Sequence, residues 1–299
     1  MTRACIAIDV GGTKIAAALV DANGAVLASA RRPTPATEGG AAVLAQMVQC
    51  VEELTATAAG HALVGIGISA AGVIDPARAV VLDATDAIQG WKGQHLGAAL
   101  QARFGLPVWA DNDVNCALLG ELWRNPTLAG VSGTVAMLTL GTGLGGALAH
   151  QGRLLQGRHH LAGHFGRALV AGPEGRLVPV ESMVSGSGLL ALYQQRRGLD
   201  ATHGAAVMAL AHAGDAAAVA AVDDWLGHLA VQLHNLHWSI DPDVVLLGGG
   251  VIDSRAQWWN ELERRIDALG VALNLAPAAL GNQAGLAGAA KLVWNGSAA

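Results

Sequence analysis

Three cysteines among 299 residues are too few for a disulfide framework, and Cys5, Cys50 and Cys116 are odd in number and far apart. No pair has the close spacing that gathers thiolates around zinc, so all three read as reduced, largely buried thiols. Cations are sparse as well. The 18 Lys and Arg residues are scattered and the formal net charge is -5, which leaves no electrostatic footprint for nucleic acid or an anionic membrane. Long apolar runs are missing: the most apolar region, residues 204–222, is interrupted by His212, Gly214 and Asp215 before it spans a bilayer. The apolar stretch before Asp9 is too short for a secretory signal and reads as a buried strand, so a cytoplasmic location is expected. No linker rich in proline, serine or charge divides the chain.

What is present is a 52% hydrophobic composition, ample for a large core. The length suits two units of about 150 residues each. Without a linker, two packed lobes with a cleft between them are expected. Residues 3–8 form an apolar strand, a glycine turn follows, and residues 15–20 return as a second strand. Asp21-Ala22-Asn23-Gly24 then reads as a hairpin turn, on the tolerance of Asn and Gly for positive φ, into a third strand from Ala25. Val43, Leu44, Met47, Val51 and Leu54 recur at helical spacing and predict a helix over 40–57. Residues 64–69 and 108–110 read as buried strands. The opening grammar returns in the second half: a strand over 134–140, a glycine loop over 141–146, a strand over 147–150, a turn at Gln151-Gly152 and a strand over 153–155. This predicts a structural duplication. A long helix over 219–239 places Val222, Trp225, Leu226, Leu229, Leu233 and Leu236 on one face, and a strand over 244–247 runs into Gly248-Gly249-Gly250. The alternation of strands and helices implies an α/β chain.

In the first glycine turn, Asp9-Val10-Gly11-Gly12-Thr13-Lys14, Gly11 and Gly12 let backbone N–H groups approach phosphate oxygens, Thr13 adds a hydroxyl and Lys14 a cation. Asp9, at a strand end, suits a hydrated Mg²⁺ ion. An ordinary glycine hairpin is the plainer reading of this turn alone, since a strand and not a helix follows Lys14. A second loop at Gly141-Thr142-Gly143-Leu144-Gly145-Gly146 shifts the balance, because two opposed loops can clasp a polyphosphate. Gly248-Gly249-Gly250 leaves room for adenine or ribose. Three such loops at strand ends favour nucleotide binding. Asp111-Asn112-Asp113 follows the strand at 108–110, where α/β folds present ligand groups. A carboxylate there is either a base for an acceptor hydroxyl or a helix cap from Asp111 or Asp113.

These stretches, in this order and with the closing Gly285-Leu286-Ala287-Gly288-Ala289-Ala290, resemble the ROK family of sugar kinases and repressors over residues 4–292. The resemblance implies an actin-like, ribonuclease-H-like α/β fold of two lobes with mixed sheets around a central cleft. It places 1–117 and about 285–299 in the N-terminal lobe and 118–284 in the C-terminal lobe. It further implies closure around a sugar and ATP with Mg²⁺, and a homodimer. Asp113 is then the catalytic base and Asn112 a sugar ligand, while Asp9, Gly11, Gly12, Thr13, Lys14, Gly141, Thr142, Gly143, Gly145, Gly146, Gly248, Gly249 and Gly250 serve the nucleotide. Gly72 resembles the family's loop under the sugar, although a simple turn before Pro76 reads as well. Four positions before Trp91 the family often has asparagine; here it is Ala87.

Many ROK glucokinases have glutamate where His164 stands, whereas Ala162-Gly163-His164 is similar to bacterial N-acetylmannosamine kinases. A histidine donor suits a hydroxyl or an acetamido oxygen in a way an ionised carboxylate does not; a satisfied loop histidine is the bland alternative. Family members usually bind a structural zinc with a histidine at position 167, three cysteines and the glutamate matching Glu181. This chain has Arg167 and no cysteine over 171–180. No zinc is expected, and Arg167 pairing with Glu174 or Glu181, or the two prolines, is expected to hold the loop instead. Glu181 stays a candidate sugar ligand or a surface ion pair. The leading expectation is phosphorylation of the 6-hydroxyl of an N-acetylhexosamine, N-acetylmannosamine first. Glucose or another hexose is the alternative, and a non-catalytic sugar-binding regulator a further one. The family's repressors carry a DNA-binding domain ahead of the kinase-like body, and with a phosphate loop starting at Asp9 none is expected here.

Overall fold

Residues 4–8 are buried without the in-out alternation of a half-exposed strand, because β1 (Thr2–Val10) lies inside a sheet covered on both faces. The computed structural model describes residues 2–172, 175–197 and 201–297. Their contacts gather into two units, Met1–Ala129 with Gly157–Leu161 and Ala279–Ala299, and Gly130–Gln156 with Ala162–Ala278.

In the first unit β1 is followed by β2 (Lys14–Asp21), β3 (Val26–Pro33), α1 (Gly40–Thr57), β4 (His61–Ala70), β5 (Val73–Asp75), β6 (Val80–Asp83), α2 (Leu96–Phe104), β7 (Val108–Asn112) and α3 (Asp113–Arg124). The sheet order is β3-β2-β1-β4-β7. β1, β2 and β3 pair antiparallel, whereas β4 and β7 add in parallel. Ile6 and Ile8 share a core with Val43, Met47, Val51 and Leu54 of α1. Cys5 and Ala7 share a second with Ala289, Ala290 and Val293 of the C-terminal helix, Ala284–Gly296. That helix also packs on α3: a Cβ on Gly288 would overlap the Cys116 carbonyl. The expected boundary at 117/118 therefore falls inside α3, all of which belongs to the first unit. At the β2–β3 turn Gly24 alone of the Asn-Gly pair is left-handed, with φ +78, and Asp21 Oδ1 accepts from the Asn23 and Ala25 amides at 2.9 and 2.8 Å.

The second unit repeats the scheme. It comprises β8 (Thr134–Leu140), β9 (Leu144–His150), β10 (Arg153–Leu154), β11 (Leu169–Ala171), β12 (Leu177–Pro179), α4 (Glu181–Val184), α5 (Gly186–Arg197), α6 (Gly204–His212), α7 (Ala216–Ile240), β13 (Val244–Gly248), α8 (Trp259–Ala268) and β14 (Leu275–Pro277). Its sheet runs β10-β9-β8-β13-β14, again antiparallel on one side and parallel on the other. Trp225, Leu226, Leu229, Leu233 and Leu236 of α7 are buried, and Trp225 Nε1 donates to the Val184 carbonyl at 2.7 Å. The apolar stretch over 204–222 is broken where its residues predict: α6 ends at His212, Gly214 is left-handed, and Asp215 caps α7 by accepting from the Ala218 amide. No single described helix is long and apolar enough to cross a membrane.

One expectation needs correction. The glycine loop over 141–146 is only three residues long, because β9 starts at Leu144 and pairs Gly145 with Thr139 and Gly146 with Leu138. Gly146 is needed inside the strand, since a Cβ there would run into Gly163 and the Phe165 ring. The segment after Arg167 carries a hairpin: β11 and β12 pair from Leu169↔Pro179 to Ala171↔Leu177, with Val170 and Val178 packed on the core of the second unit. The Val180 amide donates to the Ala168 carbonyl at 2.8 Å to close its base. Glu174 and Pro173 lie outside the described residues.

Candidate active site

Parallel pairing of β1, β4 and β7 sets Asp9 beside Ser69 and Ser69 beside Asp111, at the carboxyl ends of three adjacent strands. Ser69 Oγ donates to Asp9 Oδ1 at 2.6 Å. Gly285, near the start of the C-terminal helix, approaches so closely that a Cβ on it would sit 2.7 Å from Asp9 Oδ1. Burial raises the Asp9 pKa, against the hydrogen bond from Ser69 and the charge of Lys14. The following turn is shut by the Gly11 amide donating to the Lys14 carbonyl at 3.0 Å, and Thr34 Oγ1 donates to the Gly11 carbonyl at 2.7 Å. Gly12 and Thr13 are exposed, with open space around Gly12.

At the end of β7 it is Asn112 that caps α3, its Oδ1 accepting from the Val114 and Asn115 amides at 2.9 and 3.2 Å. Its Nδ2 donates to the Gly72 carbonyl at 2.8 Å, which ties the loop after β4 to the helix start. Gly72 is left-handed, with φ +104, and Trp91 Nε1 braces the same loop by donating to the Ala71 carbonyl at 3.0 Å. Asp111 is buried, its Oδ1 accepting from Asn115 Nδ2 at 2.8 Å. Asp113 is partly buried in the first turn of α3, and its Oδ1 accepts from the Val114 amide at 3.0 Å. Burial, and after it the neighbouring Asp9 carboxylate, pushes the Asp113 pKa up to about 6. Asp9, Gly72, Asn112 and Asp113 are thus assembled within one unit.

The second unit assembles other candidates. Gly141-Thr142-Gly143 is closed by the Gly141 amide donating to the Gly143 carbonyl at 3.0 Å, and is buttressed by the Gly186 amide at the start of α5, which donates to the Gly141 carbonyl at 2.8 Å. Glu181 stands against this loop: a Cβ on Gly143 would lie 2.9 Å from its Oε2. His164 precedes a short 3-10 turn, Phe165–Arg167, and its buried Nδ1 has no hydrogen-bond partner among the described residues. Burial, then the Arg167 charge, lowers its pKa and so favours the neutral imidazole. Gly248-Gly249-Gly250 closes β13; Gly249 has φ +83 and passes so near the Leu140 backbone that a Cβ is excluded, while Gly250 is open. Among the described residues no group of three or more His, Cys, Asp or Glu is arranged to hold a metal ion.

Sequence reasoning missed Ser69, Trp91 and Glu121. Glu121 is fully buried and accepts from Asn125 Nδ2 and from the Ala279 and Leu280 amides, at 2.7, 3.1 and 2.7 Å, fixing the segment that leads to the C-terminal helix. A carboxylate within the apolar run Ala117-Leu118-Leu119-Gly120-Glu121-Leu122 was its only signal.

The sequence pattern of the ROK family matches residues 5–295. An N-acetyl-D-glucosamine kinase of Yersinia enterocolitica is 32% identical over 284 residues, 86% of this chain and 87% of that one. The Lmo2764 protein of Listeria monocytogenes, provisionally named an N-acetylmannosamine kinase, is 28% identical with a TM-score of 0.85, over 98% of this chain and 99% of that one. A ROK family glucokinase of Streptomyces griseus, solved with glucose and AMPPNP, is 29% identical with a TM-score of 0.80 over the same shares. With its actin-like pair of mixed sheets, this chain belongs to the ROK family, as an ATP-dependent sugar kinase.

Proposed function

We propose that the enzyme transfers the γ-phosphoryl group of ATP to the 6-hydroxyl of an N-acetylhexosamine, with N-acetylmannosamine the first candidate. The observation that carries the chemistry is Asp113, a carboxyl in the first turn of α3 just past the end of β7, whose pKa is pushed up to about 6. Such a group is ionised at pH 7 yet basic enough to take a proton. The 6-hydroxyl gives its proton to Asp113 as its oxygen bonds to phosphorus and the bond to the ADP oxygen breaks. Lys14 and the backbone of Gly11, Gly12 and Thr13 hold phosphate, together with Gly141, Thr142 and Gly143 and the strand start at Gly145 and Gly146. Gly248, Gly249 and Gly250 receive the adenosine. Mg²⁺ arriving with the nucleotide would neutralise charge on the transferred group; the all-oxygen Asp9 carboxylate suits it through water, and burial of two mutually repelling carboxyls favours a cation nearby.

The amide-bearing sugar is supported by the neutral His164 imidazole, which serves an acetamido oxygen or a hydroxyl, and by the names of the Yersinia and Listeria relatives. Glu181 and the Gly72 loop complete the sugar contacts with Asn112, whose Nδ2 spends one hydrogen on the Gly72 carbonyl and has a second to donate to a sugar hydroxyl. The Streptomyces glucokinase favours a second reading, the same transfer to glucose. A cytoplasmic homodimer accompanies either reading on the family resemblance. Replacing Asp113→Asn is expected to cut sugar-dependent ADP release by about 10²–10⁴-fold while sugar affinity measured by calorimetry stays within roughly twofold. Near-normal turnover in that variant contradicts the assigned base.

A further inference from the structure

Between β10 and the turn at Phe165–Arg167 lies a histidine that neither the fold nor the chemistry above uses. The Ala162 amide donates to the Gln156 carbonyl at 3.3 Å, closing the base of a tight excursion. The five residues of that excursion, Gly157–Leu161, group by their contacts with the first unit, the one that carries Asp113. Gly157 takes a left-handed backbone there, φ +69, as glycine readily does. His160 does so as well, at φ +58, where a side chain with a Cβ is strained. Its amide reaches the Gly157 carbonyl only at 3.5 Å, so no strong turn bond imposes that conformation. Its Nδ1 is buried and meets no hydrogen-bonding partner among the described residues.

Backbone strain and an orphaned buried polar atom thus fall on one residue, a conjunction that marks ligand sites more than packing. A polyhydroxylated ligand removes the second cost, because a hydroxyl both donates and accepts and so satisfies an imidazole nitrogen in either tautomer. A sugar offers several such groups at once. We infer that His160 is a sugar-binding residue, its Nδ1 hydrogen-bonded to a hydroxyl or acetamido group of the acceptor and its ring helping to set which sugar is accepted. The class of ligand rests on the sugar-kinase reading.

Calorimetric titration of N-acetylmannosamine, N-acetylglucosamine, mannose and glucose into wild type, His160→Gly and His160→Asn tests this. Glycine adopts the left-handed backbone freely, and asparagine tolerates it while keeping a polar group. The glycine variant is expected to bind the preferred sugar about tenfold more weakly, as for one lost hydrogen bond, with Tm unchanged or raised by ~2 °C. The asparagine variant recovers part of the affinity. Wild-type affinity in His160→Gly overturns the inference. A fall in Tm that His160→Asn restores, with affinity unmoved throughout, also overturns it by making the ring structural. Titration does not depend on turnover, so absent ADP release from wild type sinks the kinase reading alone, whereas failure to bind any of the four sugars overturns both.

Discussion

A carboxyl group that titrates near pH 6 changes charge where kinases are assayed, so Asp113 imposes a pH dependence that is open to measurement. As a base it must be unprotonated, and kcat/KM for the sugar is expected to fall below pH 6 with the slope of a single proton. Its effect on stability has the opposite sense. A folded pKa raised above the unfolded value disfavours the ionised native state, so the associated stability is present below about pH 4 and lost as pH rises through about 6. Asp113→Asn is therefore expected to raise Tm at pH 8 and to have a much smaller effect at pH 4.5. Lower stability of the variant at pH 8 contradicts the environment described for Asp113. The position of this carboxylate at a strand end was legible in the sequence. The division of labour around it was not: only tertiary geometry decides that Asn112 spends its amide on the cap and on Gly72.

At the scale of elements, local signals were strongest where one segment decides its own structure. The helical spacing from Val43 to Leu54 marks α1 with both ends as observed, Gly40–Thr57. They were weakest where a distant neighbour decides. Gly145 and Gly146 look like loop by composition but are strand, paired with Thr139 and Leu138, and Gly163 and Phe165 press on Gly146. The same holds for the hairpin of β11 and β12, whose Val170 and Val178 pack on the core of the second unit. Hydrophobic anchoring needs no metal. Dialysis against a strong chelator is expected to leave Tm unchanged, and elemental analysis to find far less than one zinc per chain; stoichiometric zinc, or a chelator-induced fall in Tm, contradicts this account of the loop.

At the scale of the whole molecule, the two five-stranded sheets with matching strand orders show why the duplication was readable: each half opens with a strand, a glycine turn and an antiparallel return. Each unit carries its own candidates, carboxylates in the first, and in the second His164, Glu181 and two glycine loops. The choice of sugar was not readable to the same degree, since epimers differ in one hydroxyl and its partners come from loops such as the one holding His160. The most direct test of the central claim is coupled ADP release by the wild-type protein with ATP and Mg²⁺, using N-acetylmannosamine, N-acetylglucosamine, mannose and glucose side by side. The account predicts sugar-dependent ADP release with the highest kcat/KM on an N-acetylhexosamine, N-acetylmannosamine foremost; preference for glucose contradicts the assigned substrate, and release with none of the four contradicts the kinase itself.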